Sequence, residues 1–229
     1  MALAICTWLW GSSKYTPIYV ERLHRGLRKH IRQPFRFLLM AERDRDMPIL
    51  SEGIERHAIK DPGLLLTPGC FARLRMFDTG WQKNRGLDGT IVCLDLDIVI
   101  TGQLDQLFEA KEFRVLGGAN SVNPCPYNNS IFMFQAGTNE DLWADFSLET
   151  VQKIKYYKFP DDQGWFWHKR PYAGTWRVGS QSGIYAFRKP GWPIGDRLPS
   201  NARLVVFPGH RDPAQFTHLD WVKNNWSSL

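Results

Sequence analysis

Cysteine is scarce and scattered. The four present, Cys6, Cys70, Cys93 and Cys125, include no C-x-x-C pair, and two of them fall in stretches that read as buried strand. A disulfide framework and a zinc site of the usual spacing are therefore not expected, and the thiols read as reduced core residues. No apolar run approaches the roughly 20 residues of a membrane-spanning helix. The opening LAICTWLWG has neither the basic region nor the length of a secretion signal, so a cytoplasmic location is expected. There is no internal repeat, low-complexity tract or linker rich in glycine and proline. No Ser-His-Asp arrangement or phosphate-binding glycine loop is visible.

What is there is a chain of 229 residues, 43% hydrophobic and 23% charged, long enough for one large domain with a substantial core. The net charge is +6 and much of the excess lies between Glu21 and Arg36. From just before that stretch Val20, Leu23, Leu27 and Ile31 recur at helical spacing, with Arg22, Arg25, Arg28, Lys29 and Arg32 on the other face. A solvated helix face explains the pattern. The sharper alternative is attraction to anionic lipid or an acidic polymer, giving a peripheral contact with an anionic membrane.

Strand and helix signals alternate. Leu3–Trp10 reads as a strand, Thr16–Ile31 as a helix, Phe35–Glu42 as a strand, Gly69–Trp81 as a helix and Gly89–Ile100 as a strand. Further on, 113–121 and 127–137 read as strands, 139–157 as a helix, 161–170 as a short helix or turn and 202–209 as a late strand. Pro171–Pro199, crowded with proline, glycine and tryptophan, reads as irregular and pocket-lining. The alternation predicts an α/β fold with a mostly parallel mixed sheet flanked by helices, and a ligand site beyond the carboxyl ends of its strands.

The stretch TIVCLDLDIVI places Asp95 and Asp97 in an apolar run. On a strand both would project from one face, with Leu94, Leu96 and Ile98 on the other. Two carboxylates held together call for a cation, a shared proton or open water, and a hard divalent ion such as Mg²⁺ or Mn²⁺ suits their oxygens. A second D-x-D, Asp44 and Asp46, is flanked by charges and a proline and reads as a solvated loop.

The segment Cys70–Phe108 resembles the core of GT-A glycosyltransferases, in particular family 8 and related small bacterial enzymes of surface-polysaccharide synthesis. In these an arginine on a helix precedes a strand ending in D-x-D, and a G-x-L-x-x-L turn follows; Arg73, Asp95, Asp97, Gly102, Leu104 and Leu107 match position by position. SSKYTPIYVERLHRGL is similar to the stretch in which those enzymes stack uracil on a tyrosine, here Tyr15. NNSIFMFQAG looks like their acceptor-side strand, giving Asn129 and Ser130, and FPDDQGWFWH like their Asp-Gln element, giving Asp162 and Gln163. ARLVVFPGHRDP is similar to the loop that supplies a histidine to the metal and a cation to the diphosphate. Here Pro208 replaces that histidine, His210 follows the glycine, and Asp212 stands where a lysine is usual, leaving the diphosphate contact to Arg211.

The resemblance implies a single GT-A-like domain, with a nucleotide-binding half over 1–108 and an acceptor-side half over 109–229. It implies a UDP-sugar or other nucleotide-sugar donor, a glycan or lipid-linked hydroxyl acceptor, and Mn²⁺ or Mg²⁺ on Asp95, Asp97 and His210. Tyr15, Arg73, Asp95 and Arg211 would contact the donor, and Asp162 and Gln163 the reacting sugar. Each residue also has a plainer reading. Tyr15 could be a rim tyrosine, Arg73 a structural ion-pair partner of a neighbouring acid, Asn129 and Ser130 local backbone partners, and His168 with Trp165 and Trp167 a core cluster. Among functions, a nucleic-acid-binding module would use the basic pI, but basic and aromatic residues are not interleaved as a strand-tracking groove requires, so no nucleic-acid partner is expected. A two-metal phosphodiesterase would need more acids and histidines at metal spacing.

Overall fold

The structure is a computed structural model, and it describes residues 2–11, 14–43, 45–119, 124–154 and 160–228. The chain is α/β. Seven strands form a mixed, mostly parallel sheet in the order β3-β2-β1-β4-β7-β6-β8: β1 (Leu3–Leu9), β2 (Phe35–Ala41), β3 (Ile54–Ala58), β4 (Thr90–Leu94), β6 (Arg114–Gly117), β7 (Tyr127–Gln135) and β8 (Gly174–Arg177). A second sheet of three strands, β5 (Ile98–Ile100), β9 (Ile184–Ala186) and β10 (Leu204–Val206), has β10 at its centre.

β1 is buried at every position, as expected of a central parallel strand covered on both faces. Its pleat divides the core. Leu3, Ile5 and Leu9 pack with helix α1 (Pro17–His30) and the three-stranded sheet, whereas Ala4, Cys6 and Trp8 pack with the 3₁₀ segment Phe71–Phe77 and the helix Asp162–Lys169. The large sheet is thus sandwiched between two layers. α1 starts with Pro17, whose missing N–H costs nothing there, and its last turn carries Arg28, Lys29 and His30 against the helix dipole.

The basic face of α1 is smaller than its sequence suggests. Arg22 lies with its guanidinium carbon 4.0 Å from the centre of the Trp226 ring, and Arg25 Nη2 donates to the Trp226 carbonyl at 3.0 Å. Arg28, Lys29 and Arg32 remain exposed.

Several boundaries differ from expectation. The strand predicted over Gly89–Ile100 is two strands in two sheets, broken at Asp95–Asp97. The helix predicted over Gly69–Trp81 is a 3₁₀ segment, Phe71–Phe77, and then a separate short helix, Thr79–Lys83, because the Asp78 carboxylate accepts from the Trp81 N–H and caps a new start. The helix predicted over 139–157 is two short ones, Asp141–Ala144 and Leu148–Gln152, the second capped by Ser147; positions 155–157 lie outside the described residues. Of the strand predicted over 113–121, residues 113–119 are described, and 114–117 of them form β6. Pro171–Pro199 is less irregular than expected, since it supplies β8 and β9. Of the second D-x-D, Asp46 is exposed and Asp44 lies outside the described residues. Among the described residues no helix is long and apolar enough to cross a membrane.

Candidate functional site

β1 and β4 are parallel neighbours whose connections diverge, β1 leading through α1 to β2 on one side and β4 leading toward the β7-β6-β8 side. Such a reversal opens a crevice at the carboxyl ends of the two strands. Asp95, Leu96 and Asp97 form the turn that leaves β4 at that edge. The Asp95 N–H donates to the Ser130 carbonyl at 2.9 Å, which anchors the turn to β7. Gly102 then lets β5 run against β10: an added Cβ would meet the Ala202 carbonyl oxygen at 2.9 Å.

The two aspartates face different cations. Arg73 Nη1 lies 2.5 Å from Asp95 Oδ1 and donates at 3.0 Å to the Asn129 carbonyl; its Nε and Nη2 both reach Asp162 Oδ2, at 2.8 and 2.6 Å. Arg73 and Asp162 are both buried. Burial works against the Arg73 charge, but Asp162 and then Asp95 more than offset it, so the guanidinium is held charged. Burial pushes the Asp162 carboxyl up to about 7 against the pull of Arg73. The buried Asn129 amide also helps to hold Asp162 down, although neither amide atom meets full hydrogen-bond geometry. This cluster depends on Gly69, whose φ of +112° and carbonyl bond to the Asp162 N–H (2.8 Å) bring two segments together; a Cβ there would meet the Pro160 oxygen at 2.7 Å.

Asp97 has a different set of partners. Its Oδ2 accepts from Lys14 Nζ at 2.9 Å and from the Tyr15 hydroxyl at 2.7 Å. Lys14 Nζ is also 3.9 Å from Asp212 Oδ2, and Asp212 Oδ1 accepts from the Tyr19 hydroxyl at 2.9 Å. Burial and then the Asp95 charge raise the Asp97 pKa, with Lys14 and Tyr15 opposing. The Tyr15 phenol is pushed well up by burial and by Asp97, so it stays a protonated donor. Tyr15 packs edge-on to Tyr19, their centroids 5.3 Å apart, and the Lys14 ammonium sits 4.6 Å from the Tyr15 ring centre.

Between these clusters lies a cavity of about 340 Å³. Lys14, Arg73 and Asp95 line it beside Trp8, Trp10 and Tyr15. Cys70 lines it too, but burial pushes its thiol up to about 12, so it is no nucleophile at neutral pH. Aromatic surface beside paired charge suits a flat ring joined to an anion.

Four carboxylates, those of Asp95, Asp97, Asp162 and Asp212, are set against the two cations Arg73 and Lys14. The hard oxygens of Asp95 and Asp97 suit a divalent ion. Asp95 Oδ2 and Asp97 Oδ1 make no hydrogen bond among the described residues. The donor set is nonetheless short: no group of three or more His, Cys, Asp or Glu residues with metal-holding geometry occurs among the described residues. His210 is exposed after β10 and does not complete such a group. An ion held here would draw its remaining ligands from phosphate and water.

The other sequence-predicted residues fall around this frame. Gln163, in the first turn of the helix Asp162–Lys169, donates from Nε2 to Asp161 Oδ2 at 2.8 Å. Arg211 Nη1 reaches the Pro208 carbonyl at 3.4 Å. Ser130 donates its N–H to Asn128 Oδ1 at 3.0 Å, a local backbone role. Trp165 is buried with His168 stacked on it, centroids 5.8 Å apart. Lys14, Tyr19 and Asp212 were not foreseen as site residues. Asp212 did carry a signal, an acid immediately before proline, and it caps the 3₁₀ turn Pro213–Phe216. In comparison with known proteins, no family model matches the chain and no curated protein matches it.

Proposed function

We propose that this chain is a metal-dependent glycosyltransferase of the GT-A, family 8-like kind, which moves a sugar from a nucleotide diphosphate donor, a UDP-sugar, to a hydroxyl of a glycan or lipid-linked acceptor. The observation that carries the reading is the Asp95–Asp97 turn at the carboxyl ends of β1 and β4, opening on a cavity with both aromatic walls and cations. Asp95 and Asp97 would hold Mn²⁺ or Mg²⁺, and the bound ion would neutralise charge growing on the departing diphosphate.

The protein's own residues divide the remaining work. Trp8, Trp10 and Tyr15 offer surface for the base. Lys14, with its side chain 35% exposed, is the cation free to turn from Asp97 toward a phosphate. Arg73 is already committed to Asp95, Asp162 and the Asn129 carbonyl, so it positions Asp95 rather than clamping the donor. Asp162 in turn positions Arg73. Gln163 remains the candidate for contact with the sugar. Arg28, Lys29 and Arg32 are the residues of α1 and its C-terminal flank left for a contact with anionic lipid.

A screen of nucleotide sugars tests the reading. UDP release from at least one donor, dependent on Mn²⁺ or Mg²⁺ and lost with chelator, is expected. No release from any donor, together with no UDP binding, would overturn it.

A further inference from the structure

A second cavity, about 500 Å³, lies between the outer edge of the large sheet and the three-stranded sheet, and shares no lining residue with the first. Three arginines line it: Arg114 on β6, Arg177 at the end of β8, and Arg203 just before β10. No acid does.

The charge on these groups is poorly matched. Arg114 is bonded to Glu112, yet its Nε is buried with no hydrogen-bond partner. Among the described residues Arg203 Nη2 donates to a neutral group, Gln106 Oε1, at 3.0 Å. The exposed Arg177 guanidinium makes no side-chain hydrogen bond or ion pair among the described residues. Two guanidiniums therefore face a shared space with no counter-ion among the described residues, and a bound anion would offset their mutual repulsion. Guanidinium forks present paired N–H donors at the spacing of phosphate oxygens, and Ser182, Thr175 and Gln181 add neutral polar groups to the same lining. The volume is that of an ordinary small-ligand site.

We infer that this cavity is a binding site for a phosphoryl anion, a mono- or diphosphate group carried by a soluble ligand or by a lipid, gripped by Arg177 and Arg203 with Arg114 behind them. The inference does not rest on the proposed glycosyl transfer, since it uses none of the residues around Asp95 and Asp97.

The test is a calorimetric titration of the full chain with inorganic pyrophosphate, without divalent metal. Wild type, Arg177→Gln, the double variant Arg177→Gln/Arg203→Gln, and Lys14→Ala are compared, with circular dichroism as the folding check. Saturable binding is expected, weakened about tenfold or more in the double variant, as for loss of charge-assisted bonds, and weakened in Arg177→Gln, whose exposed side chain is not needed for folding. Lys14→Ala, which removes a cation of the first cavity, should still show the binding that the double variant loses. A parallel arm uses phosphatidylcholine vesicles with and without phosphatidic acid. Vesicle binding that needs both phosphatidic acid and the two arginines identifies a lipid-borne phosphate, and pyrophosphate binding without vesicle binding identifies a soluble one. Absence of pyrophosphate binding, equal binding by the folded arginine variants, or loss confined to Lys14→Ala would overturn the inference.

Discussion

The Lys14 ammonium lies 2.9 Å from Asp97 Oδ2 and so occupies space beside the D-x-D turn that a divalent ion would need. A cation built into the chain and a cation taken from solution compete for the same carboxylate. Lys14→Ala should therefore raise the affinity for Mn²⁺ in the absence of nucleotide, because it removes a positive charge from within hydrogen-bond distance of the ligand. Calorimetric titration of Mn²⁺ reads this directly, and weaker or unchanged binding would contradict it. His210→Ala, an exposed residue in the same loop as Asp212, should leave the titration as in wild type.

Arg73 and Asp162 are buried together, so removing one strands the other. At pH 8, Arg73→Met should destabilise the fold by roughly 3–5 kcal/mol, the usual cost of breaking a buried pair from one side. Arg73→Met/Asp162→Asn should recover part of that loss. Denaturant unfolding gives both values, and a single variant as stable as wild type would show that the pair is not buried in solution.

The fold was legible where hydrophobic patterning is strong and only partly so elsewhere. β1, α1, β2 and β7 lie close to their predicted limits because each carries a long apolar run or stripe. β3 and β9 went unseen since IERHA and IYA are too short to establish a period. The break at Asp95–Asp97 was hidden for another reason: apolar residues on both sides serve two different sheets, and one-dimensional pattern cannot tell a strand that bends between sheets from one that continues. Asp95, Asp97, Arg73, Tyr15 and Asp162 were found as residues, and a pairing of Arg73 with Asp95 was among the readings, but the other pairings were not. That Arg73 spans Asp95 and Asp162, and Lys14 spans Asp97 and Asp212, depends on contacts 22 to 198 positions apart along the chain, which spacing does not encode.

Stability should carry the imprint of Asp162. With its folded pKa raised to about 7 from an ordinary value near 4, the folded chain keeps a proton that the unfolded chain has lost across that interval. The unfolded state then binds fewer protons, and stability falls as pH rises through the window. The contribution is fully present below about pH 4 and gone above about pH 7. Asp162→Asn should flatten that part of the profile, as read by melting temperature against pH; an identical slope in the variant would assign it elsewhere.

On the proposed function, Asp95 and Asp97 join a metal to a nucleotide diphosphate. Calorimetric titration of UDP into wild type and Asp95→Asn/Asp97→Asn, with and without Mn²⁺, separates this from a purely structural role, since the changes remove charge without altering volume. UDP should bind wild type more tightly with Mn²⁺ than without, and the double variant should lose that Mn²⁺-dependent gain while keeping its fold. An equal gain from Mn²⁺ in the folded double variant, or no effect of Mn²⁺ on wild type, would show that Asp95 and Asp97 do not hold a metal for the nucleotide.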